Sequence, residues 1–565
     1  MNEHTTIQKD QSMRPFVKKE DGRNLKVITL GGVEVIGRNS YIVEYKDDLY
    51  VIDYGMSFPE GDGYGVDYIL PDYHWLVKNK HRIKAIIITH AHLDHVGGIP
   101  FILDKLDFPP LYASPFAIEF IKEKLKEKRH VKPAKLFPVS ENDVINSGEV
   151  KIQFFHVTHS IPQCYGVSVD TPEGRIVYSG DYKFDDTPLN EKPSNYEKIA
   201  KLGREGVLAA LLDSTNAYEP GKSKSETEIM GVLEDTIKKA EGRIIVATFS
   251  SLVTRLAGIM DVAHRLNKKV LFTGRSLENN MKIAMRIGYI HPHPNLIVSR
   301  KDFEKVPDNQ LIIMTTGSQG EPMAALTRMA FNKHQYVSIK KTDTIIISSS
   351  VIPTNTLDVQ RLNDELTRKG AKLINSKLMD IHVSGHAYQE DMKLMAKLLN
   401  AKYNIPVHGY TSFLNQHKIV LKEAGLNESN VLIPVEGSVY SFKNNIVQQE
   451  KKLKVMPSAV VGDKILEKGE SLIAERRILS TSGVCSVVFQ IKGHEVVDAS
   501  VILRAFDTSE NNDRIVTELK NKLPNWYMQL TDKAQLKKFM YARIGSYFMN
   551  NHGKTPLLCI DVITG

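Results

Sequence analysis

Cysteine is scarce. Cys164, Cys485 and Cys559 are the only three in 565 residues, far apart and without a Cys-x-x-Cys pair. That scarcity excludes a disulfide framework and a thiolate zinc site, and it predicts a reducing compartment, the cytoplasm. Long apolar runs are missing too: no stretch approaches the roughly twenty residues a membrane helix needs. The opening "MNEHTTIQKDQSMRPFVKKEDGRN" has no apolar core of the kind a signal peptide carries, so residues 1–22 read as a loose basic arm. The expectation is a soluble cytoplasmic protein with no membrane partner. Internal repeats and low-complexity tracts are absent as well.

What is present is an ordinary globular composition, 42% hydrophobic and 25% charged. The length suggests three or four structural units. A net charge of +8, the difference between 74 basic and 66 acidic residues, is compatible with a polyanionic partner and does not prove one.

The rhythm of the chain changes twice. Between residues 23 and 217, short apolar strands ("KVITLGG", "SYIVEY", "LYVIDYG", "KAIIITH", "VKIQFFHVTH", "GRIVYSGD", "GVLAALLD") alternate with turns. From 218 to 372 the pattern is helix–strand. It opens with Ser225 and Glu228 at capping-box spacing and Ile229, Val232, Leu233 and Ile237 on one face. A helix over 252–266 and continuous apolar strands such as "GRIIVATFSS" and "DTIIISSS" follow. Such alternation predicts a mostly parallel sheet covered on both faces. Strand–turn punctuation returns over 373–448, the polar stretch 449–470 reads as a linker, and 471–565 reads as a small α/β module with helices near 513–522 and 531–549.

The chemistry concentrates in "IIITHAHLDHVGG". His90, His92, Asp94 and His95 fall within six positions at the end of an apolar strand, where each would cost free energy to bury unpartnered. Nitrogen and oxygen ligands at that density suit Zn²⁺ or Mn²⁺ better than Mg²⁺. Other strands end alike: at Asp53, His159, Asp181, Asp213 and His408. In layered α/β folds ligands gather at the carboxyl ends of strands, so six such ends predict one shared site. Two glycine-rich turns, "HVSGH" (His382, Val383, Ser384, Gly385, His386) and "TTGSQGE" with Gly317 and Ser318, are candidate backbone cradles for phosphate. Arg275 in "GRSLENN" is a candidate bidentate phosphate partner.

"THAHLDHVGG" resembles the His-x-His-x-Asp-His signature of the metallo-β-lactamase superfamily, and Asp53, His159 and Asp181 match its flanking motifs. Asp213 in "LLDSTN", His386 in "HVSGH" and His408 in "PVHG" resemble motifs A, B and C of the β-CASP nucleases. With "LGGVEVIGRNSYIVEY", "GRSLENN" and "TTGSQGEPMAAL", nearly the whole chain is similar to the ribonuclease J family, in its type-2 branch. The resemblance implies a metallo-β-lactamase αββα sandwich interrupted by a β-CASP α/β domain, plus a small C-terminal α/β domain. It implies that His90, His92 and His159 hold one divalent ion and Asp94, His95 and His408 a second, with Asp181 between them. Asp53 and Asp213 would orient the imidazoles, and His386 would give the leaving oxygen its proton. The substrate implied is single-stranded RNA bearing a 5′-monophosphate.

The type-1 branch usually reads His-Gly-His-Glu-Asp-His and His-Gly-Glu. Ala91, Leu93 and Tyr410 depart from that here, as do Val351 and Thr354 in "SSSVIPTNT". All expected ligands survive, so the expectation is a 5′→3′ exoribonuclease with some endonuclease activity, of reduced strength. The alternative is a mainly non-catalytic partner of a type-1 paralogue. A small-molecule hydrolase on the same scaffold fits poorly with the insert and motifs B and C. The C-terminal module, with Trp526 and Tyr527 as anchors, is expected to make a homodimer or tetramer and a hetero-oligomer with a type-1 paralogue.

Overall fold

The computed structural model describes residues 24–128, 134–352, 355–375, 383–467, 471–492, 495–530 and 535–564. The expected arm at 1–22, His382 and Thr354 lie outside the described residues.

Two sheets build the first layer pair. One has eight strands in the order Ile446–Gln449, Val439–Lys443, Leu25–Gly31, Ser40–Tyr45, Asp48–Ile52, Ile83–Ile88, Leu111–Ala113 and Leu136–Pro138. The other has six, in the order Tyr403–Val407, Ala209–Asp213, Gly174–Tyr178, Cys164–Thr171, Val150–Val157 and Val144–Ser147. Alternate side chains of both, among them Val27, Val43, Ile52, Ile87, Phe154, Val167, Leu211 and Ile405, form one buried cluster. Period-2 alternation aims these side chains inward.

The chain leaves this sandwich after Asp213 and returns at Tyr403. The strands Ala209–Asp213 and Tyr403–Val407 lie parallel with Asp213 opposite Val407. An excursion of almost two hundred residues therefore closes with Asp213 and His408 at one strand end.

That excursion carries a five-stranded, wholly parallel sheet in the order Lys269–Thr273, Leu311–Thr315, Ile244–Ala247, Thr344–Ile347 and Lys372–Asn375. Its strands are continuous apolar runs because helices cover both faces, and Ile245, Leu271, Ile313 and Ile345 are fully buried or nearly so. The helix Glu226–Lys238 starts where Ser225 predicts, but the Ser225 hydroxyl accepts from Thr227 N and not from Glu228 N. Ile229, Leu233 and Ile237 are buried and Val232 half-buried.

Residues 59–68 and 459–565 form a second compact unit. In it, helices Ser509–Met528 and Leu536–His552 pack on a sheet ordered Glu495–Arg504, Val484–Lys492 and Leu557–Thr564. The first helix outruns the expected 513–522 at both ends. Thr508 caps it through Asn511 N, and Ile515, Leu519 and Leu523 hold it past Pro524. Trp526 and Tyr527 pack against this unit's core. Within the stretch read as a linker, Ser458–Val461 and Lys464–Ile465 pair as a hairpin. No described helix is long and apolar enough to cross a membrane.

Candidate metal centre

The strand Ile83–Ile88 runs into Thr89 and a buried His90. His92 then caps a single helical turn, Leu93–Val96, that carries Asp94 and His95. The turn packs against Gly55, where a Cβ would stand 1.6 Å from the Asp94 carbonyl oxygen, so no side chain fits there. Asp53 and His408 take left-handed backbone, with φ of 59° and 55°. Left-handed backbone at non-glycine residues costs energy and recurs at functional sites.

Three groupings of ligand atoms result, each with all its atoms within 4.8 Å of one another. In the first, His92 Nδ1 lies 3.1 Å from His90 Nε2 and 3.0 Å from His159 Nε2. Asp181 Oδ2 is 3.7 and 3.8 Å from those two Nε2 atoms. In the second, Asp181 Oδ2 is 3.0 Å from His95 Nε2, and Asp94 Oδ2 is 3.5 Å from His95 Nε2 and 3.2 Å from His408 Nε2. The third joins Asp181, Asp213, His386 and His408. Asp181 belongs to all three.

Behind these atoms stands a row of acceptors. Asp53 takes Thr89 N–H at 2.8 Å and Thr89 O–H at 2.8 Å, and its Oδ2 lies 2.7 Å from His95 Nδ1. His159 Nδ1 donates to the Gly385 carbonyl at 2.7 Å. Asp213 Oδ2 lies 2.8 Å from His386 Nδ1, and Oδ1 accepts from Thr215 N–H and O–H. Asn39 reaches His95 Nε2 at 3.0 Å and the Asp94 carbonyl at 3.2 Å. Thr89, Thr215, Asn39 and the Gly385 carbonyl escape sequence reasoning, because hydroxyl, amide and backbone partners carry no spacing signature. For Thr89, Thr215 and Gly385, nearness in the chain to His90, Asp213 and His386 is the one available signal, and Asn39 has none.

Electrostatics divides the histidines into two classes. Burial holds His90 and His159 well below the ordinary imidazole value and His92 down at about 4, which leaves them neutral with lone pairs to donate. Burial also opposes charge on His95, His386 and His408, but it is outweighed: Asp181, Asp94 and Asp53 raise His95, Asp213 and Asp181 raise His386, and Asp181 leads for His408. Burial would raise the carboxyls of Asp94 and Asp181, yet the facing imidazolium charges keep both well below the usual range. The carboxylates thus demand positive charge, as protons or as cations. Asp181 Oδ1 and His408 Nε2 are buried with no well-directed hydrogen bond, held only in ion-pair contact with His408 Nδ1 at 3.1 Å and Asp94 Oδ2 at 3.2 Å, respectively. A nitrogen and oxygen donor set this crowded, with all atoms of each group within 4.8 Å, fits a divalent metal.

Known proteins are similar to this chain along most of its length. The family model described as "Metallo-beta-lactamase superfamily" matches residues 33–220, "Ribonuclease J, beta-CASP domain" matches 241–366, and "Zn-dependent metallo-hydrolase RNA specificity domain" matches 373–434. Ribonuclease J2 of Bacillus subtilis (strain 168) is 33% identical over 550 residues, covering 96% of this chain and 99% of its own. The chain belongs to the ribonuclease J family. Ribonuclease J of Mycoplasma genitalium is 32% identical across 97% of this chain and 98% of its own. Ribonuclease J 1 of Streptococcus pyogenes is 37% identical across 82% of each. A crystal structure of an Enterococcus faecalis V583 protein of unknown function is similar in fold, with a TM-score of 0.52 at 17% identity, covering 74% of this chain and all of that one. Membership in the ribonuclease J family supports a ribonuclease on a metallo-β-lactamase fold with a β-CASP insert, RNA binding, and divalent metal at the His and Asp clusters.

The remaining candidates divide by place. Val383 is buried, and Ser384 accepts from Asn216 Nδ2 at 2.8 Å and from His386 N at 3.2 Å. Gly385 is pressed on His159, where a Cβ would meet the ring at 2.7 Å. Arg275 follows the edge strand Lys269–Thr273 of the inserted sheet, Gly317 and Ser318 follow its neighbour Leu311–Thr315, and all three lie outside the three His/Asp groupings. Arg275 is exposed, whereas Ser318 is 2% exposed. Among the family departures, Ala91 is buried, Leu93 half-buried, Val351 exposed, and Tyr410 exposed against Phe413.

Proposed function

We propose that the protein is a 5′→3′ exoribonuclease acting on 5′-monophosphorylated single-stranded RNA, with some endonucleolytic cutting and reduced strength. The carrying observation is Asp181, whose carboxylate belongs at once to the His90–His92–His159 group and to the Asp94–His95–His408 group. One carboxylate common to two nitrogen-rich groups is what a pair of divalent ions, Zn²⁺ or Mn²⁺, requires of its ligands. Bound there, such ions supply Lewis acidity toward water and a phosphodiester.

The chain's own groups supply the rest. Neutral His90, His92 and His159 offer lone pairs, and Asp53, through His95, and the Gly385 carbonyl, through His159, fix ring orientation. Asp213 holds His386 by Nδ1, which leaves Nε2 to carry the proton that the departing 3′-oxygen takes. Glycine-rich backbone at 383–386 and 317–320, with Arg275, is the reading for phosphate contacts, and base stacking and backbone charge would hold the strand. The C-terminal unit is the reading for homodimer or tetramer formation and for pairing with a type-1 paralogue.

Leu93, standing where the type-1 pattern has a carboxylate, favours a second reading: a mainly non-catalytic partner of such a paralogue. A time course on RNA with a labelled 5′-monophosphate end separates the two, comparing wild type with His92→Ala in Mn²⁺, Mg²⁺ and Zn²⁺. Mononucleotide release that vanishes in His92→Ala supports the exonuclease. Equal traces from both proteins move the reading to the partner.

A further inference from the structure

A chain of buried charges runs from the metal-centre loops into the inserted domain. Lys183, two residues beyond Asp181, is 1% exposed and clamped to Thr158, the neighbour of His159: its N–H donates to the Thr158 carbonyl at 2.8 Å, and Thr158 Oγ1 donates to the Lys183 carbonyl at 2.6 Å. Lys183 Nζ donates to the Lys224 carbonyl at 3.1 Å and lies 3.3 Å from Asp185 Oδ2. That carboxylate accepts Glu226 N–H at 2.9 Å, at the start of the insert's first helix. Arg255, fully buried, grips the Glu226 carboxylate with two bonds of 3.1 and 2.8 Å and reaches Ser348 O and Oγ at 3.2 and 3.1 Å. Beyond Ser348, Gln319 Nε2 bonds Ser349 Oγ at 3.2 Å and the Ser350 carbonyl at 2.7 Å. Gln319 is the next residue after Gly317 and Ser318.

Buried ion pairs contribute little net stability, since desolvation offsets most of their attraction, and in some proteins they specify one arrangement. Other charged contacts between the same two parts, Arg286 with Glu119 and Glu123 at 3.0 Å and Lys222 with Asp186 at 2.7 Å, are partly exposed and weakly constraining. Two buried cations linked through one continuous series of contacts therefore define a strut.

We propose that Arg255 and Glu226, continued by Asp185 and Lys183, are positioning residues that fix the distance between the metal centre and the Gly317–Ser318 turn, and so set where on the RNA the cut falls. The RNA half of this statement rests on the ribonuclease reading; the mechanical half does not. Freed from the strut, the turn samples several distances, and the length of the released product spreads.

The test uses the full chain with Glu226→Leu and Arg255→Met together, which leaves no unpaired buried charge, and Arg255→Lys as the conservative variant. Spin labels at Lys126→Cys and Lys305→Cys, both on exposed side chains, report the distance distribution between the two parts. Cys559→Ser removes the exposed native thiol, and Cys164 and Cys485 are buried. The expected result is a broadened distribution in the double variant and an intermediate one in Arg255→Lys. With it should come a loss of RNA cleavage of roughly 10²-fold, the scale of a 1 Å misplacement. Products should spread from mononucleotides to mixed lengths, while hydrolysis of bis(p-nitrophenyl) phosphate stays within about twofold, since that small diester spans no such distance. An unchanged distance distribution overturns the strut, and so does a parallel fall of RNA and small-diester rates. Should wild-type protein release no nucleotide from RNA, the ribonuclease reading fails, and the distance distribution alone still decides the strut.

Discussion

Asp213 Oδ2 lies 2.8 Å from His386 Nδ1, a contact between residues 173 apart in the chain. The strand that ends at Asp213 pairs in parallel with the strand that delivers His408, and the segment 383–386 is held beside Asp213 by Asn216 Nδ2, which donates to Ser384 Oγ and the His386 carbonyl. His386 and His92 are the partly open histidines among the described residues of the centre, and the His386 side chain is 20% exposed. If it supplies the leaving-group proton, His386→Ala should lower kcat on RNA by about 10²–10⁴-fold. KM and the metal content of the purified protein should stay close to wild type. Asp213→Asn should lower kcat by about 10–100-fold, because the ring loses its anionic partner and keeps its place. Single-turnover kinetics with metal analysis on each sample checks both. A loss of metal in step with activity would reassign His386 to ligation.

Leu93 sits half-buried on the helical turn between His92 and Asp94. A carboxylate there would add negative charge beside the cluster. Leu93→Glu should therefore reduce the divalent-metal concentration giving half-maximal activity, by about tenfold on the scale of outer-sphere changes at metal sites. Titrating activity with Mn²⁺ against wild type measures this. Equal half-saturation would remove Leu93 as a source of weakness.

Glu191 offers a stability prediction away from the centre. Its side chain is 8% exposed, burial pushes its carboxyl up to about 8, and the Gln163 N–H at 3.1 Å offsets only part of that rise. An unfolded glutamate titrates near 4.3. Between those two values the folded state binds a proton that the unfolded state has lost, so stability falls as pH rises across that window and levels off above about 8. Glu191→Gln keeps an acceptor for Gln163 and removes the titration. Thermal unfolding should show the variant equal to wild type near pH 4 and more stable at pH 8, by at most about 5 kcal/mol at 1.36 kcal/mol per pH unit. Parallel curves at all pH values would contradict a proton held by Glu191.

Much of the centre is legible in the sequence for a local reason. His90, His92, Asp94 and His95 occupy one strand end and one helical turn, so their proximity needs no topology. His159, Asp181 and His408 announce themselves by standing at the ends of apolar strands. The coupling of Asp213 to His386 is not legible that way, because it depends on the register in which two strands meet after the insert. Thr89, Thr215 and Asn39 are invisible for a chemical reason: a hydroxyl or amide that completes a hydrogen bond looks in sequence like any other polar residue. In the fold, the helix Ser509–Met528 runs past Pro524 because Leu519 and Leu523 are buried, and tertiary packing outweighs the lost backbone donor. The hairpin at 458–465 turns on Gly462, at φ 61°, a signal masked by the polar stretch before it.

The central claim is that two divalent ions share Asp181. Anomalous scattering from crystals of Mn²⁺-loaded protein tests it directly. The account predicts two peaks on either side of Asp181, one among His90, His92 and His159 and the other among Asp94, His95 and His408. A single peak, or peaks away from Asp181, would contradict it.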